Sequence, residues 1–325
     1  MKIFLLISID TECDKGPGWV VQKPMSFNSV VDGIPNILNP IFSKYSLKAT
    51  YLLSPEILYE ENCITTLKSL SNVELGTHLH GEFIDPDANW EATRTSTPQV
   101  SYSDFIEQKK LENLTNLFYT KFGKWPTAFR AGRWGISEKT LTFLEQLGYK
   151  VDSSVCPFNT HYFDNNIIVN HWGAPIQPYR PSYKSILDKG GRPIIEVPAT
   201  LGNKFLIKLP RFLLKKLSNK STFHKKVLNK FGLSSKISWL RPFRNTSYGM
   251  ISLSEDYINF LSRSRKFIFL NLMFHSNEII PNASPYPQSF EEVDEFIRSM
   301  ESFFDYLTTK YEVEGIGLSD VPMVL

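Results

Sequence analysis

Short apolar runs alternate along the chain with longer stretches in which apolar residues recur every three or four positions. The runs Ile3–Ile9, Leu47–Leu53, Val73–Leu79, Thr127–Arg130, Tyr149–Asp152, Ile194–Val197, Phe267–Phe274 and Gly315–Leu318 predict strands. Between them, Phe105, Leu111, Leu114, Leu117, Phe118 and Phe122 form one helical stripe. Ser137 reads as an N-cap, with Leu141, Leu144 and Leu147 behind it and Gly148 closing the helix. A last helix is expected from Phe290 to about Lys310. Strands alternating with helices predict an α/β fold, a distorted (β/α) barrel of about seven parallel strands.

Composition bounds this picture without changing it. The 325 residues are 42% apolar and 14% aromatic, enough for a large core and for one barrel domain over 1–325. Cys13, Cys63 and Cys156 are odd in number and scattered, which argues against a disulfide framework. The opening apolar run meets Asp10 too early for a signal peptide, and no segment has the length of a membrane span, so a cytoplasmic protein is expected. There is no internal repeat. Residues 159–191, rich in Pro, Tyr and Asn, read as long loops over one face.

The unusual polar residues cluster at the C-terminal ends of the expected strands: Asp10 and Glu12, His78 and His80, Arg130 and Arg133, Asp152, and His275. In (β/α) barrels these ends converge on one mouth, where chemistry is done. Residues two apart on a strand share a face, so His78 and His80 point one way with Gly76 beneath them, as do Asp10 and Glu12. Two imidazoles with a carboxylate suit zinc, and a second carboxylate can take a proton from water. Each feature also has a plainer reading. His-x-His can be a surface pair, the acids can cap a helix, His275 can be a packing residue, and Arg133 can pin a loop.

In order, these segments resemble the motifs of the polysaccharide deacetylases, the NodB-homology group of carbohydrate esterase family four. The resemblance runs through Asp10–Glu12, His78–His80, Arg130–Trp134, Asp152-Ser153-Ser154 and Leu272–His275, and covers nearly the whole chain. There are departures. The family's first motif has adjacent acids where this chain has Asp10-Thr11-Glu12, and its two histidines are usually four apart rather than two. The pattern is closest to a variant branch among surface-polysaccharide biosynthesis proteins, which also suits Tyr179-Arg180-Pro181-Ser182 and Glu196-Val197-Pro198.

The resemblance implies one divalent metal, zinc, held by Glu12, His78 and His80, with Asp10 as base, although the two acids can exchange roles. It implies His275 as the acid, Asp152 orienting that imidazole, and Arg130 holding Asp10. Trp134, Arg133 and Tyr179 would bind substrate, and the implied reaction is removal of N-acetyl or O-acetyl groups from a sugar or glycan precursor, free or lipid-linked. The rivals are hydrolysis of another C–N bond, in a cyclic imide or ureide, and a catalytically silent glycan-binding barrel.

The net charge of +3 hides an asymmetry. Residues 198–254 read as a basic insertion carrying twelve Lys and Arg and no Asp or Glu. Lys204, Lys208, Arg211, Lys215, Lys216, Lys220, Lys225, Lys226, Lys230, Lys236, Arg241 and Arg244 are interleaved with Phe205, Leu206, Leu209, Phe212, Leu213, Leu214 and Leu217. This is the composition of an interfacial amphipathic helix, so peripheral contact of 204–230 with an anionic membrane is expected beside the plainer reading of a solvated basic face. No recognition motif suggests nucleic acid.

Overall fold

The computed structural model describes residues 1–218, 237–242 and 246–325. Its central sheet contains eight strands: β1 (Lys2–Thr11), β2 (Ala49–Leu53), β3 (Val73–Leu79), β4 (Ala128–Ala131), β5 (Val151–Asp152), β6 (Ile195–Glu196), β7 (Phe267–His275) and β8 (Glu312–Gly315). Every pairing is parallel, and seven strands follow the order β6-β5-β4-β3-β2-β1-β7. β8 lies beside the first half of β1. The sheet curls into a distorted barrel.

Alternation along β1 shows how it is filled. Ile3, Leu5, Ile7 and Ile9 point outward into the main core, which they share with Leu270, Phe296 and Met300. Phe4 and Leu6 point inward and pack with Leu52, Ala128, Val151, Ile195 and Phe269. Both faces are buried, as a parallel strand requires, and each such side chain stabilises by about 1.5–3 kcal/mol. Above Leu6 the inward face turns polar, through Ser8 and Asp10, with Glu12 just beyond the strand. Gly76 on β3 is needed for space, because a Cβ there would lie 2.6 Å from the Ala128 carbonyl oxygen.

The outer layer includes α1 (Glu61–Ser69), α2 (Asp104–Phe122), α3 (Glu138–Gln146), α4 (Arg211–Ser218), α5 (Ser247–Leu261) and α6 (Phe290–Lys310). Ser137 caps α3 by accepting from Thr140 N–H. Gly148 follows α3 with φ +89, in the left-handed region. Two expectations need correction. Phe105 is 65% exposed, because it sits in the first turn of α2 before the helix reaches the sheet. The last strand is Glu312–Gly315 rather than Gly315–Leu318, since Ile316 and Leu318 leave the ladder to pack into the barrel's interior core.

Among the described residues, β6 and β7 share no ladder. Side chains and a backbone hydrogen bond, from the Thr200 N–H to the Asn271 carbonyl at 3.2 Å, bridge that seam instead. Gln177 donates from Nε2 to the Phe269 carbonyl at 2.8 Å and accepts from the Phe269 N–H at 2.9 Å. Beyond it, Thr200 accepts the Asn271 N–H at 2.9 Å. The three cysteines are free and buried. Of the basic stretch, Lys220, Lys225, Lys226, Lys230, Lys236 and Arg244 lie outside the described residues, as does the side chain of Leu217.

Candidate metal centre and active site

The inward faces of β1, β3, β4 and β7 end in a cavity of about 430 Å³. Parallel register sets Asp10 beside His275 and His78 beside Arg130. The same alternation that buries Phe4 and Leu6 therefore delivers these polar side chains to one place.

Glu12, His78 and His80 converge there, all buried. Glu12 Oε1 lies 3.2 Å from His78 Nε2 and 2.9 Å from His80 Nε2. His78 Nδ1 faces the Arg130 carbonyl at 3.0 Å, so Nδ1 carries a proton and donates. In neutral His78, the Nε2 lone pair then confronts a carboxylate oxygen, and two acceptors so close need a proton or a cation between them. Burial disfavours charge on His80 and lowers its pKa despite Glu12. A carboxylate and two imidazoles, one with its outer nitrogen tied to a backbone carbonyl, form a donor set that fits a divalent cation. Lys110 steadies the loop beyond the histidines, donating to the Gly81 and Ile84 carbonyls at 2.7 and 2.6 Å.

Asp10 stands apart from that carboxylate. Arg130, fully buried, donates from Nη1 to Asp10 Oδ1 at 2.7 Å and from its other nitrogens to Ser8, Ser153 Oγ and the Ser153 carbonyl. Burial alone would raise the Asp10 pKa, but Arg130, His78 and His275 outweigh it and hold the carboxyl below its usual value. Its free oxygen, Oδ2, faces His275 Nε2 at 3.8 Å.

The mouth is aromatic. Trp19, Trp134, Trp239 and Tyr286 line it, with Arg133 beside Trp134. Trp134 is placed by a cramped turn. A Cβ on Gly132 would lie 2.2 Å from the Leu79 carbonyl oxygen, and Arg133 and Trp134 both adopt left-handed backbone, φ 58 and 60. Such conformations cost about 1–3 kcal/mol each and persist only where surrounding contacts impose them. Here the turn sets the Trp134 ring 5.2 Å from the Arg130 guanidinium carbon, with His161 stacked alongside at 6.4 Å.

No family model and no curated protein matches the sequence. Solved structures do match in three dimensions. A protein from Mycobacterium smegmatis assigned as a polysaccharide deacetylase aligns over 99% of this chain and 89% of its own, with a TM-score of 0.54 and 12% identity. One from Parabacteroides distasonis, assigned as a glycoside hydrolase/deacetylase, aligns over 99% and 71%, with a TM-score of 0.60 and 10% identity. The chain has the polysaccharide-deacetylase fold.

Within that fold two expected site residues lie elsewhere. Asp152 does not reach His275. It accepts from Ser154 Oγ at 2.6 Å and shares a hydrogen bond with Glu196, on the outward face of the sheet that it shares with Phe129. Glu278 occupies the expected position instead, accepting from His275 Nδ1 at 2.8 Å while paired with Arg241. Tyr179 is buried away from the cavity, its hydroxyl donating to the Ile186 carbonyl at 2.6 Å and its backbone bridged to Glu196. It closes the loop region onto β6.

Sequence reasoning missed Lys15, Trp19, Trp239, Arg241, Glu278 and Tyr286. Lys15, buried on the hairpin after β1, pairs with Glu12 Oε2 and donates to Thr95 Oγ1 at 3.3 Å. The spacings Glu12-x-x-Lys15 and His275-x-x-Glu278 were available signals, since a turn after a strand returns the third residue to the strand end.

A second cluster, Cys156, His161 and His171, also brings three donor atoms within 4.8 Å of one another. Its hydrogen bonding opposes a metal. His171 Nδ1 accepts the Cys156 N–H at 3.1 Å, which places the ring proton on Nε2. Burial lowers the His171 pKa to about 3, so the ring stays neutral with no lone pair to spare.

Proposed function

We propose that this chain is a metal-dependent hydrolase that removes N-acetyl groups from a sugar or surface-polysaccharide precursor. The observation that carries this reading is the division of labour between two buried carboxylates. Glu12 faces two imidazole nitrogens, while Asp10, restrained by Arg130, faces His275.

Glu12, His78 and His80 would hold the metal, zinc being the best match to one carboxylate and two imidazoles. A bound divalent cation would polarise the acetyl carbonyl and acidify an attacking water. Asp10, kept ionised by Arg130, accepts that water's proton at Oδ2. Glu278 accepts a hydrogen bond from the His275 Nδ1–H, directing Nε2 into the cavity, from where it protonates the departing nitrogen. An amine leaves poorly unless protonated, so the acid is as necessary as the base. Trp134 and Trp239, with ring centroids 5.9 Å apart, offer faces on which a pyranose can stack. This aromatic lining favours a glycan over a small cyclic imide or ureide.

The test is acetate release by zinc-reconstituted protein from a panel of N-acetylated monosaccharides, oligosaccharides and glycolipids. Turnover of at least one, lost on chelation and restored by zinc, is the expected result. Turnover of cyclic imides or ureides alone would replace the reading with its rival.

A further inference from the structure

On the flank of the barrel, over the seam bridged by Gln177, lies a second cavity of about 300 Å³. Its floor is apolar, built from Ile176, Leu209, Phe260 and their neighbours. Its rim carries Lys189, Lys208, Arg211 and Arg265 and no acidic residue. Arg211 is paired with Asp188 at 3.1 Å. Lys189, Lys208 and Arg265 make no ion pair among the described residues. Burial, and then Arg265 and Arg211 close by, lowers the Lys189 pKa.

The adjoining helix α4 points the same way. Leu214 anchors it, 3% exposed, whereas Phe212 and Leu213 stand 61% and 38% exposed. Lys215, expected to be a free membrane-facing cation, is instead held by Asp188 at 2.6 Å. The charge free of ion pairs therefore centres on Lys189 and Arg265, which lie outside the basic stretch, with Lys208 from within it, whose charge is felt by Asp256. An apolar hollow rimmed by cations in excess of the carboxylates near them, beside exposed aromatic and aliphatic side chains, matches neither water nor a neutral glycan. It matches an anionic amphiphile.

We propose that this flank is a docking site for an anionic phospholipid surface, with the lipid phosphate among Lys189, Lys208 and Arg265 and an acyl chain over Ile176, Leu209 and Phe260. The proposal is independent of the deacetylase reading, because it uses none of the residues of the active-site cavity.

The test is co-sedimentation of the full chain with phosphatidylcholine vesicles, with and without phosphatidylglycerol, at low and high salt. Binding is expected only with phosphatidylglycerol and should weaken with salt. The variant Lys189→Gln/Lys208→Gln/Arg265→Gln should bind about tenfold more weakly or worse, since it removes the cations that attract the anionic surface. Its thermal midpoint should match wild type, which separates lost binding from lost fold. Removing three exposed cations elsewhere, by Lys109→Gln/Lys124→Gln/Lys150→Gln, should leave binding intact. Dodecyl phosphate should compete with vesicles where equimolar inorganic phosphate does not, because only the former offers a chain for the apolar floor. Wild-type binding by the first triple variant, equal binding to neutral vesicles, or equal competition by the two phosphates would overturn the proposal.

Discussion

Glu278 lies three residues beyond His275 and accepts a hydrogen bond from the Nδ1–H of that imidazole at 2.8 Å. Burial opposes its charge, but Arg241 and His275 outweigh burial and keep it ionised, with a lowered pKa. A permanently charged partner fixes the tautomer and stabilises the imidazolium that must form before the leaving group departs. Glu278→Gln is therefore expected to lower kcat by about 10- to 100-fold with little change in KM, the usual scale for a group supporting a reactive imidazole. Asp152→Asn should leave the His275-dependent limb of the pH–rate profile in place. Initial rates of acetate release across pH decide between the two carboxylates.

Asp10→Asn and His275→Ala are expected to reduce kcat by about 10²- to 10⁴-fold each, while the fold and metal content stay near wild type. Metal analysis beside kinetics makes this informative. If Asp10→Asn lost the metal, Asp10 would be the ligand and Glu12 the base.

Elemental analysis should find one divalent ion per chain. His78→Ala/His80→Ala should abolish it, and His171→Ala should leave it unchanged. The contrast follows from hydrogen bonding: His78 turns its Nε2 toward Glu12, whereas His171 spends its only lone pair on the Cys156 N–H. Two ions per chain would refute that assignment.

Asp152 and Glu196 are fully buried and share a hydrogen bond, and burial raises both pKa values, Glu196 well above the usual range. Both rise on folding, so the folded chain holds protons that the unfolded chain releases. The stability they contribute is present below the unfolded values and is lost as pH climbs through the folded ones. Glu196→Gln puts a neutral donor beside Asp152 and removes one titration. Its thermal midpoint should fall less than that of wild type between about pH 5 and 8. Parallel curves for the two proteins would show that the shared proton is absent.

Much of this protein was legible in its sequence because two periodicities carry the information. Period-two alternation along Ile3–Asp10 and Val73–His80 dictates which residues face the barrel interior, and so brings Asp10, His78 and His80 to one mouth. The helical stripe of Leu111, Leu114 and Phe118 likewise predicts a buried face. Alternation fixes a side chain's face but not its partner, and partners were what tertiary structure decided. Which face of the two-residue β5 is inward was decided by register: Val151 packs into the barrel interior, so Asp152, paired with the outward-facing Phe129, meets Glu196 of β6 and not His275. Glu278 was missed as a site residue because its role depends on a tight turn after β7, where no periodicity operates and only the three-residue spacing from His275 signals it. Tyr179 was misplaced for the same reason, since a loop's path over a barrel is set by the seam it must close. The cationic flank was only half legible, because Lys189, Lys208 and Arg265 are distant in sequence and meet only over the seam where, among the described residues, β6 and β7 share no ladder.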